Sequence, residues 1–290
     1  MNYRLVKMAL LGLLVIVALV LTVQRSGEIS RPELELPQLS DTDFDWIAAR
    51  IYQNEAAGQS RYLTWWGEGE DFPSFGIGHF IWFPAGVDAP FDETFPDMVT
   101  FVQQRSPGNL SVPEWLHDLT PFDAPWADKQ QFDQARTATD MTELQQWLDV
   151  TKQLQARFIV ATFEQRWQNL ALPAEQYQRL TALLQEMAGT AQGLFAVIDY
   201  YNFKGLGDNP RERYQLQGWG LIQVLETMPE LRTGEQSLVE LFSRAAARRL
   251  SLRVKLSPPE RNETRWLAGW LQRLDGYVVN EAQSVKLISD

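Results

Sequence analysis

The stretch Glu55-Ala-Ala-Gly-Gln-Ser-Arg-Tyr-Leu-Thr-Trp-Trp-Gly-Glu-Gly-Glu-Asp-Phe-Pro-Ser-Phe-Gly-Ile-Gly-His79 decides how this chain is read. It places a carboxylate at the end of a helix and then turns an aromatic hairpin back toward it. Upstream, Phe44, Ile47, Ala48, Ile51 and Glu55 recur at steps of three and four across 42–57, which puts them on one helical face. A charge on that inward stripe has to be paired, neutralised or set in a cleft. Gly58 reads as the helix stop, so Glu55 falls in the last turn. The negative end of the helix dipole and partial burial there both act to raise the pKa of a carboxyl, as a general acid requires. The alternative is an ion pair to Arg50 or Arg61 at the rim of the fold.

Downstream, Tyr62–Trp66 has the composition of a strand, Gly67–Asp71 that of an acidic turn, and Ser74–Phe83 that of a returning aromatic strand. Such a hairpin would hold Glu68, Glu70 or Asp71 across a groove from Glu55. Trp65 and Trp66 would offer aromatic faces to sugar rings. Two carboxylates flanking a groove with aromatic walls are the minimum equipment for cleaving a glycosidic bond.

The order helix, Glu55, hairpin and Ser74-x-Gly-Ile-Gly-His79 resembles the N-terminal lobe of phage-type lysozymes, muramidases of the lysozyme-like superfamily. The resemblance covers roughly residues 47–83. It implies that Glu55 is the general acid, that Ser74 positions the attacking water, and that Gly76, Gly78 and His79 are structural. Family spacing from Ser74 points to Glu68 as the second carboxylate, with Glu70 and Asp71 as competitors. The turn is a few residues longer than in the family, and its acid is Glu rather than Asp. The resemblance also implies inversion of the anomeric centre and no cofactor.

Residues Met8–Val23 form an uncharged apolar run after Arg4 and Lys7. We expect an uncleaved N-terminal membrane anchor over 1–25, because Leu21-Thr-Val-Gln24 is a poor signal-peptidase site. The preceding positive residues would keep the N-terminus cytoplasmic. The body would then be exported from the inner (cytoplasmic) membrane to the periplasm or cell surface. Residues 26–40, with Pro32 and Pro37, read as a tether. The body, 41–290, would divide into a hairpin lobe at about 41–85 and a helical remainder.

The chain carries 26 basic and 37 acidic residues, a formal charge of −11. Without Arg4, Lys7 and Arg25 the body stands at −14. Such a surface excludes broad nucleic-acid binding through phosphates. There is no cysteine, which excludes disulfides and thiolate metal sites. His79 and His117 lack the companions of a zinc or calcium motif, so no metal site is expected.

Residues 84–128 are Pro- and Phe-rich, and Phe91, Phe95, Phe101 and Trp115 are expected to pin them onto the core as irregular chain that could hold short helices. Asp140-Met-Thr-Glu143 reads as a capping box opening a long apolar pattern through Phe163. Further helices are expected at 174–188, 192–203, 218–228, 236–255 and 260–277. The fold class is therefore α+β and mostly α, matching the small hairpin lobe and larger helical lobe that the resemblance implies. Around the junction of two of these helices, Tyr200–Gly205 and Arg211–Gly220 concentrate aromatic, amide and cationic side chains around glycines. Asn202, Gln217 and Trp219 are the candidates there for the far wall of a sugar cleft. Arg244, Arg248, Arg249, Arg253 and Lys255 read as a solvated helix face.

Two function classes fit these features. One is a membrane-tethered glycoside hydrolase acting on peptidoglycan or a related amino-sugar polymer. The other is a non-catalytic glycan-binding or envelope-scaffold protein on a lysozyme-like fold. An open groove shared by Glu55 and a turn carboxylate favours the first; a Glu55 closed off by a salt bridge favours the second.

Overall fold

The computed structural model describes residues 31–278 apart from 90, 107, 109, 233 and 235. The apolar run Met8–Val23 lies outside the described residues, and among these no helix is long and apolar enough to cross a membrane.

The first helix, α1 (Asp41–Ala56), begins at Ser40. The Ser40 hydroxyl accepts the Asp43 N–H, and the Asp43 carboxylate accepts the Ser40 N–H. These reciprocal bonds satisfy two amide groups near the helix start. Its buried stripe is Phe44, Ile47, Ala48 and Ile51, with Glu55 one turn further on. The helix stops where Ala57 and Gly58 enter the left-handed region (φ 49° and 65°) and the Gly58 N–H reaches back to the Tyr52 carbonyl.

A turn of 3₁₀ helix (Ser60–Tyr62) leads into β1 (Thr64–Trp65), β2 (Ser74–Phe75) and β3 (Phe80–Ile81). These form an antiparallel sheet in the order β1-β2-β3, with Trp65 opposite Ser74 and Ser74 opposite Ile81. The expected single hairpin is thus two. The segment Ser74–Phe83 cannot run on as one strand, because Gly76 (φ 69°) and His79 (φ 47°) fold it back on itself. Fully buried Gln155 clamps that turn: its Oε1 accepts the Ile77 N–H at 2.9 Å, and its Nε2 donates to the Leu148 carbonyl and the Thr151 hydroxyl.

Behind the sheet, Phe75, Trp82, Phe95, Trp126 and Phe132 pack ring against ring, the Trp82 and Phe95 centroids 4.6 Å apart. Part of the region expected to be irregular is helical: α2 (Phe95–Arg105) and the short α3 (Glu114–His117). Phe95 and Trp115 pack as expected, but Phe91 is half exposed and lies at the edge of a cleft. After α4 (Lys129–Ala135), the long apolar pattern is two helices, α5 (Thr139–Val150) and α6 (Lys152–Gln168). They are divided at Thr151, whose hydroxyl donates to the Trp147 carbonyl. The expected capping box at Asp140 does not form; α5 starts two residues earlier, with Ala138 at the cap position.

The larger part of the molecule is helical: α7 (Ala174–Ala188), α8 (Ala191–Lys204), α9 (Leu221–Leu231), α10 (Leu238–Leu256) and α11 (Thr264–Asp275). Helix α8 is the central one, buried from Gly193 to Tyr200 and packed by α6, α7, α9 and α10. Helix α1 lies on α6, and α11 lies on α10. One continuous apolar core runs from Leu34 to Tyr277. The described chain is therefore mostly α with one small antiparallel sheet.

A side chain at Gly76 would place its Cβ 2.3 Å from Gln155 Oε1 while holding φ at 69°. Gly76→Ala is therefore expected to cost about 2 kcal/mol or more in urea unfolding, from strain and loss of the clamp. An unchanged midpoint would show that the turn relaxes without Gln155.

Candidate active site

Glu55 is held at a junction of four elements. Its Oε1 accepts from Arg273 Nη2 (2.5 Å), on α11, and from Asn202 Nδ2 (3.2 Å), on α8. Its Oε2 lies 3.5 Å from Nδ1 of His79, in the β2–β3 turn. Only 10% of the Glu55 side chain is exposed, against 38% of His79.

Arg273 is in turn bound to fully buried Asp199, through Nε to Oδ2 (2.7 Å) and Nη2 to Oδ1 (2.8 Å). Asp199 also accepts from Asn54 on α1 and from the Tyr277 hydroxyl. Asp199 and Arg273 thus form a two-bonded fork with every other oxygen contact filled, and Glu55 is a third ligand on one side.

These contacts reverse the expected titration of Glu55. Burial pushes its carboxyl up, but the charges of Arg273 and His79, with the Arg273 and Asn202 bonds, outweigh burial and hold it below the ordinary carboxylate range. No basic residue lies in the last turn of α1, so the compensation comes from α11 rather than from the helix itself. Arg273 is buried too, yet Asp199 and Glu55 raise its pKa well above the usual value. In the free protein Glu55 is an ionised carboxylate.

His79 and Asn202 also line a cleft of about 430 Å³ between the β2–β3 turn, α6, the end of α8 and the loop after it. Phe91, Phe158 and Tyr201 supply aromatic wall. Three carboxylates face it. Asp92 is paired with Arg166 at 3.1 Å, and Glu212 accepts from Asn209. Asp208 is exposed and has no hydrogen bond or ion pair among the described residues.

The other residues expected at the site lie elsewhere. The turn acids do not line this cleft. Glu68 faces Lys129, Gln130 and Asp133 on another surface, and Asp71 is solvent-exposed. The Glu70 carboxylate accepts the Gly67 N–H, and its carbonyl accepts the Trp66 indole N–H, so it closes its own turn. Trp66 is buried against Phe132 and presents no face to a sugar, while Trp65 is exposed beside Tyr62 and Arg136. Ser74 is buried in the sheet and does not line the cleft. Gln217 points to a separate depression, where it bonds Arg249. Trp219 is buried under Arg253. Arg253 is no solvated cation either, since it grips the fully buried Glu263 with two bonds.

Asp199, Arg273 and Tyr277 were not picked out in the sequence. One signal for Asp199 was present: it is the only charge in the apolar run Gly193–Tyr201, a position that demands a buried partner. No family model matches the chain, and neither a curated protein nor a solved structure is similar to it.

Because its folded pKa is depressed, Glu55 adds stability above the unfolded value of about 4.3, and that contribution is lost as pH falls through the folded value. Glu55→Gln is expected to destabilise the protein by about 1–3 kcal/mol at pH 7. The gap to the parent should close in acid, as followed by denaturant unfolding at several pH values. Asp199→Ala should cost more, about 3–5 kcal/mol, because it strips Arg273 of its main partner. A pH-independent loss in Glu55→Gln would mean that the carboxylate is not charged in the fold.

Proposed function

We propose that the protein is a glycoside hydrolase of lysozyme-like architecture, acting on peptidoglycan or a related amino-sugar polymer. It would be exported and held at the inner membrane by its N-terminal apolar run. The observation that carries this reading is the position of Glu55. It closes the first helix, is caged by groups from three further elements, and has two of those groups, His79 and Asn202, on the cleft wall. The small sheet after Glu55 and the helical body beyond it support the lysozyme-like reading.

In this reading Glu55 handles the proton of the glycosidic oxygen. The free enzyme holds it ionised, so it must take up a proton as substrate enters. The fork permits this: when Glu55 becomes neutral, Arg273 keeps both bonds to Asp199 and is not left unpaired. Desolvation by a bound sugar would raise the Glu55 pKa toward the range of a working acid. Asp208, the cleft carboxylate with no partner among the described residues, takes the role that the resemblance assigned to the turn acids: opposing the positive charge that develops at the anomeric carbon, or activating water. Aromatic faces at Phe91 and Tyr201 suit sugar rings.

A second reading, non-catalytic glycan binding, is favoured by one observation: Glu55 is salt-bridged and no turn carboxylate meets it. New reducing ends from peptidoglycan, chitosan or chitin separate the two. The hydrolase reading expects activity in the parent. It expects a loss of roughly 10²-fold or more in Glu55→Gln and Asp208→Asn, against changes of about twofold or less in Glu68→Gln, Glu70→Gln and Asp71→Asn. Binding of these polymers with no new reducing ends would establish the second reading. A severe loss in a turn-acid variant with Asp208→Asn mild would return the second carboxylate to the turn.

A further inference from the structure

Glu55 does not itself line the cleft, whereas His79 and Asn202 do. Its Oε1 accepts from Arg273 and Asn202, and its Oε2 faces Nδ1 of His79 at 3.5 Å. A sugar in the cleft therefore meets the neighbours of this carboxylate. Those neighbours differ in what they can pass on. A guanidinium stays protonated and an amide nitrogen holds its protons, whereas an imidazole takes a proton at one nitrogen as it releases one at the other. Of the three, His79 alone can carry a proton between Glu55 and the cleft.

The backbone points the same way. His79 closes the β2–β3 turn at φ 47°, in the left-handed region that glycine takes freely and a larger residue takes at a cost. Gly76 and Gly78 already stand in that turn, so the strain at His79 serves its side chain rather than the bend. It keeps an imidazole where Nδ1 faces Glu55 while 38% of the side chain stays open. Nε2, on the other side of the ring, has no hydrogen bond among the described residues and is left to the cleft that His79 lines. The carboxylate facing the ring is Glu55. Elsewhere on the cleft wall Asp92 and Arg166 pair with each other, Glu212 accepts from Asn209, and Asp208 is bonded to no described residue.

We propose that His79 carries the proton from Glu55 to the glycosidic oxygen, and so is a catalytic residue rather than a structural one. The proposal rests on the glycoside-hydrolase reading above and adds a residue to it. In the substrate complex the Oε2–H bond of protonated Glu55 breaks and its proton passes to Nδ1. The Nε2–H bond breaks in turn and its proton passes to the glycosidic oxygen. The bond from that oxygen to the anomeric carbon breaks, with its electron pair left on the oxygen. A water forms the new bond at the anomeric carbon and gives up one proton to solvent through Asp208. Glu55 ends ionised and the ring ends with its proton on Nδ1, the form that an ionised Glu55 favours. A solvent proton taken up at Nε2 then sends the Nδ1 proton back to Glu55, and the count closes.

The test is the rate of new reducing ends from peptidoglycan with the full chain in detergent. Glycine fits φ 47° without strain, so His79→Gly leaves the turn intact and a hole the size of the ring. Its kcat should fall roughly 10²-fold with KM within about threefold of the parent. Added imidazole should restore about tenfold of that loss in His79→Gly and do nothing for the parent or Glu55→Gln. His79→Gln, which keeps a hydrogen-bonding side chain but passes no proton, should be as slow as His79→Gly. Nitrogen NMR of the labelled ring in the free parent should show Nδ1 protonated. An active His79→Gln, or a loss in a His79→Gly of parental circular dichroism that imidazole does not restore, would overturn the relay and leave Glu55 as the direct donor. A bare Nδ1 in the free parent would overturn it whatever the rates. A parent that releases no reducing ends would sink the hydrolase reading and the relay with it.

Discussion

The two-bonded pair between Asp199 and Arg273 is the constraint on which the rest of the site depends. Asp199 is inaccessible to solvent inside α8, and the Arg273 side chain on α11 is only 10% exposed. Neither charge could be buried alone. Together, with Asn54 from α1 and Tyr277 just beyond α11, they tie three helices at one point. Removing the carboxylate strands a guanidinium in the core, and removing the guanidinium strands two carboxylates. The pair is therefore costly to build and costly to break, and it fixes how α1, α8 and α11 meet.

Glu55 takes its character from that pair. Alone at the end of α1 it would face a negative helix terminus and partial burial, both of which favour the protonated form. Arg273 reverses the balance, so the resting site carries an ionised carboxylate beside a half-buried histidine. A sugar entering the cleft would press on that balance from the His79 and Asn202 side.

Much of the local structure was legible in the sequence, and most of the long-range structure was not. Helix α1 falls within a residue of its expected bounds, and α7 matches them, because the 3.6-residue stripe and the flanking Ser40, Pro173 and Gly189 all agree. The segment Ser74–Phe83 read as one returning strand. That it folds back at Gly76–His79 into a second hairpin was not legible, since this follows from Gln155, 78 residues away from Ile77. Glu55 was picked out because an acid on an apolar stripe needs an explanation. Its partner is 218 residues further on, and nothing in local spacing links the two. Spacing in the turn did not show that Glu68 and Ser74 lie away from the cleft, because a position relative to a motif says nothing of which way a side chain points. Trp66 and Trp219 show the same limit: composition marks them as ring platforms, whereas burial makes them core. The capping box at Asp140 failed because Ala138 supplies the turn geometry without a side-chain bond.

The ionisation of Glu55 is the quantity to measure, by carbon NMR titration of its labelled carboxyl in the free chain and with a bound, uncleaved amino-sugar oligosaccharide. If Arg273 holds Glu55 charged and substrate prepares it to give a proton, the free value lies below the ordinary range near 4.3 and rises on binding. An ordinary or raised value in the free protein, or one that the oligosaccharide leaves in place, would refute that arrangement.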